Sequence, residues 1–456
     1  MAPRVNDPAG LLDAARAVAE RAEPGEQVEA YIVHSRETDV SVLRGDVESL
    51  TVAEQAGIGV RVVRDGRQGY AWAGTLDRSV CDETLAEARD NARFAAPDEW
   101  LGLASPDDVD GVAPPKLDLW RDELAGVPAA AKVDLTLELE AATAAADPRI
   151  RGVESATYHD AALDAALASS LGVRAETRRT ACSCSAVALA GDDAETRTGY
   201  GFSVGRTPSE LDVAFAAGDA ATRAVRMLGA TQPRSQRLTV VFDPLVTGSL
   251  LAIIGAALNG EAVLKGRSMF AGRDDEVVAA GSVTLIDDPT EPEARGAATH
   301  DAEGIPTRPT PLIADGVLGG FLQNVYTGRR SGRGTTGSAV RGIGSPPGVG
   351  ARALILRPGA RHPEDLIRSL SEGVYVQSVT GLHSGTSPVS GDFSVGAVGL
   401  MIRDGTLAEP VREITVASTL QRMLLDVVEV GADLTWLPGS AAGVTLVVGE
   451  MQISGA

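Results

Sequence analysis

Apolar residues recur at helical spacing from Gly10 to Ala22, placing Leu11, Leu12, Ala15, Val18, Ala19 and Ala22 on one face before Pro24-Gly25 ends the run. The period then drops to two. VEAYIVHS (28–35), TDVSVLRG (38–45), VESLTVAEQ (47–55) and GIGVRVVRDGRQGYAWAG (57–74) read as strands. Asp65-Gly66 predicts a two-residue hairpin, because both positions tolerate positive φ. Residues 76–95 return to a helical pattern. The first 95 residues therefore predict an α+β domain, a small antiparallel sheet with helices before and after it.

A Pro- and Asp-rich stretch, 96–116, predicts a linker. Residues 117–230 predict a middle α+β segment: helical to 146, strand-like over 151–205, and helical again over 209–228 after Thr207-Pro208. The break TQPRSQR (231–237) opens a β-rich C-terminal domain, 231–456. It begins with the strand LTVVFD and a helix that Asp243 caps and Pro244 starts. Later strands are predicted in GARALILRP, EGVYVQSVTGL and GVTLVVGEMQIS, with a hairpin over 393–417 turning at Asp404-Gly405. Frequent Gly and Pro from 328 to 350 predict a long loop.

At 456 residues and 44% hydrophobic content, the chain can bury a core in two or three domains. Its net charge of −21 repels nucleic acid and anionic membranes. The Arg-rich stretch 328–342 holds four arginines, too few to invert that field. The segment Met1–Glu20 lacks the apolar core of a secretory signal, and the apolar run Leu250–Leu258 is too short to span a bilayer. Cys81, Cys182 and Cys184 are odd in number, which suits a reducing compartment. The expected location is cytoplasmic, with neither nucleic acid nor membrane as a partner.

Sites for chemistry are sparse. His34, His159, His300, His362 and His383 include no pair spaced for a metal. Cys182-Ser183-Cys184 sets two thiols on one face of a strand, as buried cysteines or an incomplete ligand pair. Gly201-Phe202-Ser203-Val204-Gly205 matches a nucleophile elbow, but Arg206-Thr207-Pro208 follows where a helix is required. Two glycine-dense segments, 319–342 and 381–405, carry hydroxyl and amide groups beside predicted strands. Their Asn324, Tyr326, Thr336, Arg341, Ser384, Thr386, Gly391 and Asp392 are candidate substrate-binding residues for an extended peptide. The same segments equally fit long surface loops with turn glycines.

At these segments the chain resembles the TldD/PmbA family, also called modulator-of-gyrase or peptidase U62 proteins. The resemblance runs through Val47-Glu48, EQAGIGVRVVRDGRQGYA (54–71), DAEGIPT (301–307), GVLGGFLQNVYTGRR (316–330) and TTGSAVRG (335–342). It continues in SGDFSVGAVGLMIRDGTLAEPVREITVAS (390–418) and the closing MQISGA. The resemblance implies an N-terminal α+β domain, a β-rich C-terminal domain and a two-chain peptidase acting on unstructured peptides. In the catalytic branch, H-E-x-x-x-H and a later cysteine hold zinc. Here Leu251, Ala252 and Ala256 fill the helix positions, and Ser440 lies near the cysteine's place.

The chain therefore resembles the PmbA/TldE branch, with no catalytic residue, metal ligand or cofactor of its own. Zinc is expected in a TldD-like partner, paired with this chain as a heterodimer. An alternative is a homodimer with independent hydrolase activity on amide-linked conjugates, drawing acids and bases from Asp287, Asp288, Asp301, Glu303 and Asp392. A binding or chaperone-like module is the third reading.

Overall fold

The four strand-like runs of 28–74 form three strands in the computed structural model, which describes residues 8–109, 111–192 and 194–456. β1 (Glu26–Leu43) and β2 (Asp46–Arg64) continue through polar stretches that look like breaks in the sequence, and β3 (Arg67–Ala73) follows. The ladder itself carries them: β1 pairs with β2 over Glu26–Leu43 and with the strand on its other side over Glu29–Val42, so the polar run at 34–39 and the exposed start of β2 stay paired. Both hairpins turn on two left-handed residues, Arg44-Gly45 (φ 57° and 77°) and Asp65-Gly66 (φ 53° and 69°). Arginine seldom adopts positive φ. Here the Glu140 carboxylate accepts from the Arg44 and Gly45 N–H groups at 2.5 and 2.7 Å and holds the turn.

The middle segment supplies β4 (Ile150–Ser169), β5 (Arg174–Gly191) and β6 (Thr196–Gly205). They join the first three in one antiparallel sheet of order β3-β2-β1-β4-β5-β6. Each half repeats the succession helix, three strands, helix. Helices Pro8–Ala19 and Arg78–Phe94 flank the first three strands in sequence, and Ala129–Ala145 and Val213–Val225 the second three. All four pack on one face. Val28, Ala30, Ile32, Ile58 and Val60 meet the first pair, and Cys184, Ala186 and Ala188 meet the second. Equivalent glycines allow the closest approach: a Cβ on Gly69 would lie 2.0 Å from the Ala88 carbonyl, and one on Gly199 would lie 2.2 Å from that of Ala220.

The third part begins with strand Gln236–Phe242 and helix Pro244–Ala257, where Asp243 accepts from the Leu245 N–H at 2.9 Å as an N-cap. That strand lies between Glu372–Thr380 (parallel) and Leu446–Ser454 (antiparallel). Hairpin Asp392–Arg403/Thr406–Thr419 extends the sheet and turns at Asp404-Gly405. Thr406–Thr419 also pairs with Leu446–Ser454, so five strands close on themselves. A single large core, including Val240, Phe242, Leu250, Leu251, Ile254 and Phe393, fills the space between strands and helix. The fold is α+β with an antiparallel N-terminal sheet and a β-rich C-terminal region.

The 328–350 stretch is only partly loop. Helix Val325–Ser331 reaches into it and ends at Gly332 in a left-handed C-cap, and Ala339–Val340 pairs with Gly348–Val349. No helix among the described residues is long and apolar enough to cross a membrane.

Candidate functional site

Helix Pro244–Ala257 carries Leu251 inward, 3% exposed in the main core, and turns Ala252 and Ala256 to the surface. Segment 437–443 packs beside it: a Cβ on Gly248 would touch the Leu437 side chain, and one on Gly443 the Pro244 carbonyl. Ser440 is exposed on that segment, its carbonyl accepting from the Leu354 N–H at 2.8 Å. The fold thus sets Ser440 on the segment beside this helix, with Leu251 in the core and Ala252 and Ala256 on the surface. A methyl-bearing helix face and one hydroxyl supply no imidazole, thiolate or carboxylate, so these residues do not fit a zinc ion. No group of three or more His, Cys, Asp or Glu among the described residues is placed to hold a metal.

The remaining motifs resolve individually. Ser203 lies within β6, its hydroxyl accepting from the Asp212 N–H at 2.9 Å, so no elbow forms. Cys182 and Cys184 are buried free thiols, and burial pushes both up, Cys184 to about 11. His34 bonds Glu54, His159 bonds Asp39 and His300 bonds Thr299, each as a separate pair.

The two glycine-dense segments lie in different places. Ser384, Thr386 and Gly391 belong to a connection that includes the short helix Leu382–Gly385, and Asp392 opens the strand that follows it. Asp392 accepts from the Ser390 hydroxyl at 2.6 Å and Thr386 donates to the Leu382 carbonyl at 2.7 Å. Asn324, Tyr326, Thr336 and Arg341 sit where the third part meets the N-terminal sheet. Asn324 caps helix Val325–Ser331 by accepting from the Thr327 N–H at 2.8 Å, and Thr336 donates to the Gln323 carbonyl at 3.1 Å. The Tyr326 hydroxyl donates to Asp98 at 2.8 Å. No hydrogen bond or ion pair joins the two sets among the described residues.

Arg341 leads to a cluster that sequence reasoning missed. Its Nη1 donates to Glu29 Oε1 at 2.7 Å, and its guanidinium stacks 4.1 Å above the Tyr31 ring. Glu29 also accepts from Arg61 at 2.9 Å, and Arg61 donates to Glu303 at 3.1 Å. All four side chains are at most 5% exposed, and they join the uncovered sheet face to the third part. Arg61 and Arg341 hold the Glu29 carboxyl low against its burial. The partners lie 32, 242 and 312 residues apart, so no local spacing announces them. The one signal was a charge on an otherwise apolar strand.

Asp301 lies next to this cluster and accepts from the N–H groups of Glu303, Ile305 and Ala339 at 2.8, 3.0 and 3.0 Å. Burial and the Glu303 charge outweigh those donors and push it up to about 7. A carboxyl raised on folding contributes stability that is full in acid and lost as pH rises through its folded value. The denaturation midpoint should therefore carry a component that declines from about pH 4 to about pH 7 and levels off above it. Asp301→Asn should remove that component and lower the midpoint throughout, because its NH2 would face the Ala339 N–H. An identical pH profile in the variant would refute the assignment.

Between the uncovered sheet face and residues 298–302 and 340–352 lies a cleft of about 430 Å³. Arg179 of β5 and Arg352 line it together with Arg341 and Asp301.

Residues 28–96, 122–228 and 235–455 match domain 1, the central domain and the C-terminal domain of PmbA/TldA metallopeptidases. Metalloprotease PmbA of Escherichia coli O157:H7 is 26% identical over 449 residues, covering 98% of this chain and 96% of that protein. A metalloprotease of Methanothermobacter thermautotrophicus is 28% identical over 410 residues, covering 88% and 86%. In fold, the chain superposes with a TM-score of 0.88 on a putative modulator of DNA gyrase from Thermotoga maritima, at 24% identity over 97% of this chain and 99% of that one. TldE from Thermococcus kodakarensis gives 0.87 at 21% identity, with the same coverage. The chain belongs to the TldD/PmbA metallopeptidase family.

Proposed function

We propose that this chain is the metal-free, TldE/PmbA-like subunit of a cytoplasmic TldD/TldE-type metallopeptidase that cleaves or matures unstructured peptides. The observation that carries the reading is the helix Pro244–Ala257. It keeps its place beside segment 437–443, yet it offers Leu251, Ala252 and Ala256 where zinc hydrolysis needs two imidazoles and a base. A TldD-like partner would supply the zinc and the water-activating carboxylate, and this chain would shape the peptide's surroundings. Ala252 and Ala256 on an exposed helix face suit close packing against another chain.

Three of the five acids of an independent hydrolase are occupied elsewhere. Asp287 accepts from the Arg352 and Ala353 N–H groups at 2.9 and 2.7 Å, Asp301 accepts three N–H groups, and Glu303 is held in the ion-pair cluster.

Co-expression with a TldD-like chain tests the reading. Size-exclusion chromatography with light scattering should give the mass of a heterodimer, and a structure of the pair should show more than about 2,000 Å² buried, the scale of obligate pairs. Peptide hydrolysis should require both chains, and zinc should travel with the partner. A soluble monomer that ignores the partner, or one tightly held zinc in this chain alone, would refute it.

A further inference from the structure

At the junction of the sheet and the third part, two cleft-lining arginines, Arg179 and Arg352, make no ion pair among the described residues, while the adjoining cleft holds Asp118, Glu210 and Glu293 beside its own arginines. Arg179 lines the cleft half-buried and, among the described residues, makes no ion pair and no side-chain hydrogen bond. Arg352 donates from Nη2 to the Ala339 carbonyl at 3.0 Å and leaves its buried Nε unpartnered. In the adjoining cleft, Arg206 bonds only carbonyls through its guanidinium, among them Thr180 at 2.9 Å, and Arg295 has no ion pair or side-chain hydrogen bond among the described residues. Arg341 is already committed to Glu29.

The carboxylates on the cleft wall do not compensate. Asp301 is committed to three N–H groups. Arg179 pairs across the strands with Leu163, and Leu163 with Ser35, which puts Glu37 two strands away and one pleat further along β1. At strand spacing that is about 10 Å or more. Burial and the charges of Arg352, Arg295 and Arg206 push Arg179 down to about 10, still cationic at neutral pH. In a chain of net charge −21, gathering unpaired guanidiniums opposes folding, so it calls for a role other than stability.

We propose that this cleft binds a carboxylate of an extended peptide, with Arg179 and Arg352 as its guanidinium donors; this rests on the reading of the chain as a peptidase subunit. Two forked guanidiniums match a planar carboxylate. The hydroxyls of Ser35 and Thr177 line the same wall. The cleft's volume suits a chain end or an acidic side chain rather than a folded domain.

Isothermal titration calorimetry on the full chain tests this with one acetylated, unstructured octapeptide in three forms: free C-terminal acid, C-terminal amide, and amide with one internal glutamate. At least one carboxylate-bearing form should bind tenfold or more tightly than the plain amide, and whichever does so identifies the carboxylate's source. Arg179→Gln and Arg352→Gln should each reduce that preference to under twofold, with partial rescue by Arg179→Lys. Arg179→Gln should leave the melting temperature unchanged or raise it, because no intramolecular ion pair is lost. Equal affinity for all three forms, or an unaltered preference in the double Gln variant, would overturn the proposal. The lone chain is assayed by binding, so a missing heterodimer with an intact preference would refute the subunit reading and leave the cleft assignment standing.

Discussion

Replacing Glu303 with alanine is expected to lower the denaturant midpoint by the equivalent of about 3–5 kcal/mol, the range for breaking one buried ion pair. Two losses combine. Arg61, whose side chain is 5% exposed, keeps Glu29 but loses its second carboxylate. The Val325 N–H, which donates to Glu303 Oε2 at 2.8 Å, loses its acceptor at the start of helix Val325–Ser331. Glu303→Gln separates them: its amide oxygen still accepts from Val325 while the charge is gone, so its loss should be smaller. Arg61→Met should cost less in the Glu303→Ala background than in the wild type, because one of its two carboxylate partners is already gone. Equal midpoints for wild type and Glu303→Ala would show that water or rearrangement replaces the pair at no cost.

What the sequence made legible was local. The 28–74 strands, the Asp65-Gly66 and Asp404-Gly405 turns, and the Asp243-Pro244 helix start each rest on residues within a few positions of one another. The Arg44-Gly45 turn was not legible, because its stabilising carboxylate, Glu140, lies 96 residues away on another helix. The repeated helix and three strands was hidden for a different reason: topology repeats where side chains do not, apart from such positions as Gly69 and Gly199. The departure from a zinc site could be read directly, since it needs only the identities of Leu251, Ala252 and Ala256 and a resemblance to place them. The cleft could not, because Arg179 and Arg352 come from different parts of the chain and meet only through the packing of the third part on the sheet.

Asp243 shows how a residue legible in one role can hold a second that is not, and its replacement is the other large expected effect. It is fully buried and caps helix Pro244–Ala257 through Oδ1. Its Oδ2 accepts from Arg223 Nη1 at 2.9 Å and from the Tyr375 hydroxyl at 2.5 Å. Arg223 sits in the last turn of helix Val213–Val225, so this one carboxylate ties the middle segment to the closed strands of the third part. Burial and the neighbouring Asp243 charge push the Tyr375 hydroxyl up, keeping it a donor at any ordinary pH. Asp243→Ala should cost about 3 kcal/mol, the low end of the range for breaking a buried pair because Arg223 keeps Asp219 at 2.8 Å, with about 1 kcal/mol more for the lost cap. Asp243→Asn keeps the capping oxygen and should fall between that variant and wild type. Arg223→Met should be less damaging in the Asp243→Ala background than alone, since the two side chains form one unit. Urea unfolding of the four proteins closes the cycle. A loss under about 1 kcal/mol for Asp243→Ala would leave only the cap and disprove the ion pair's part in joining the two regions.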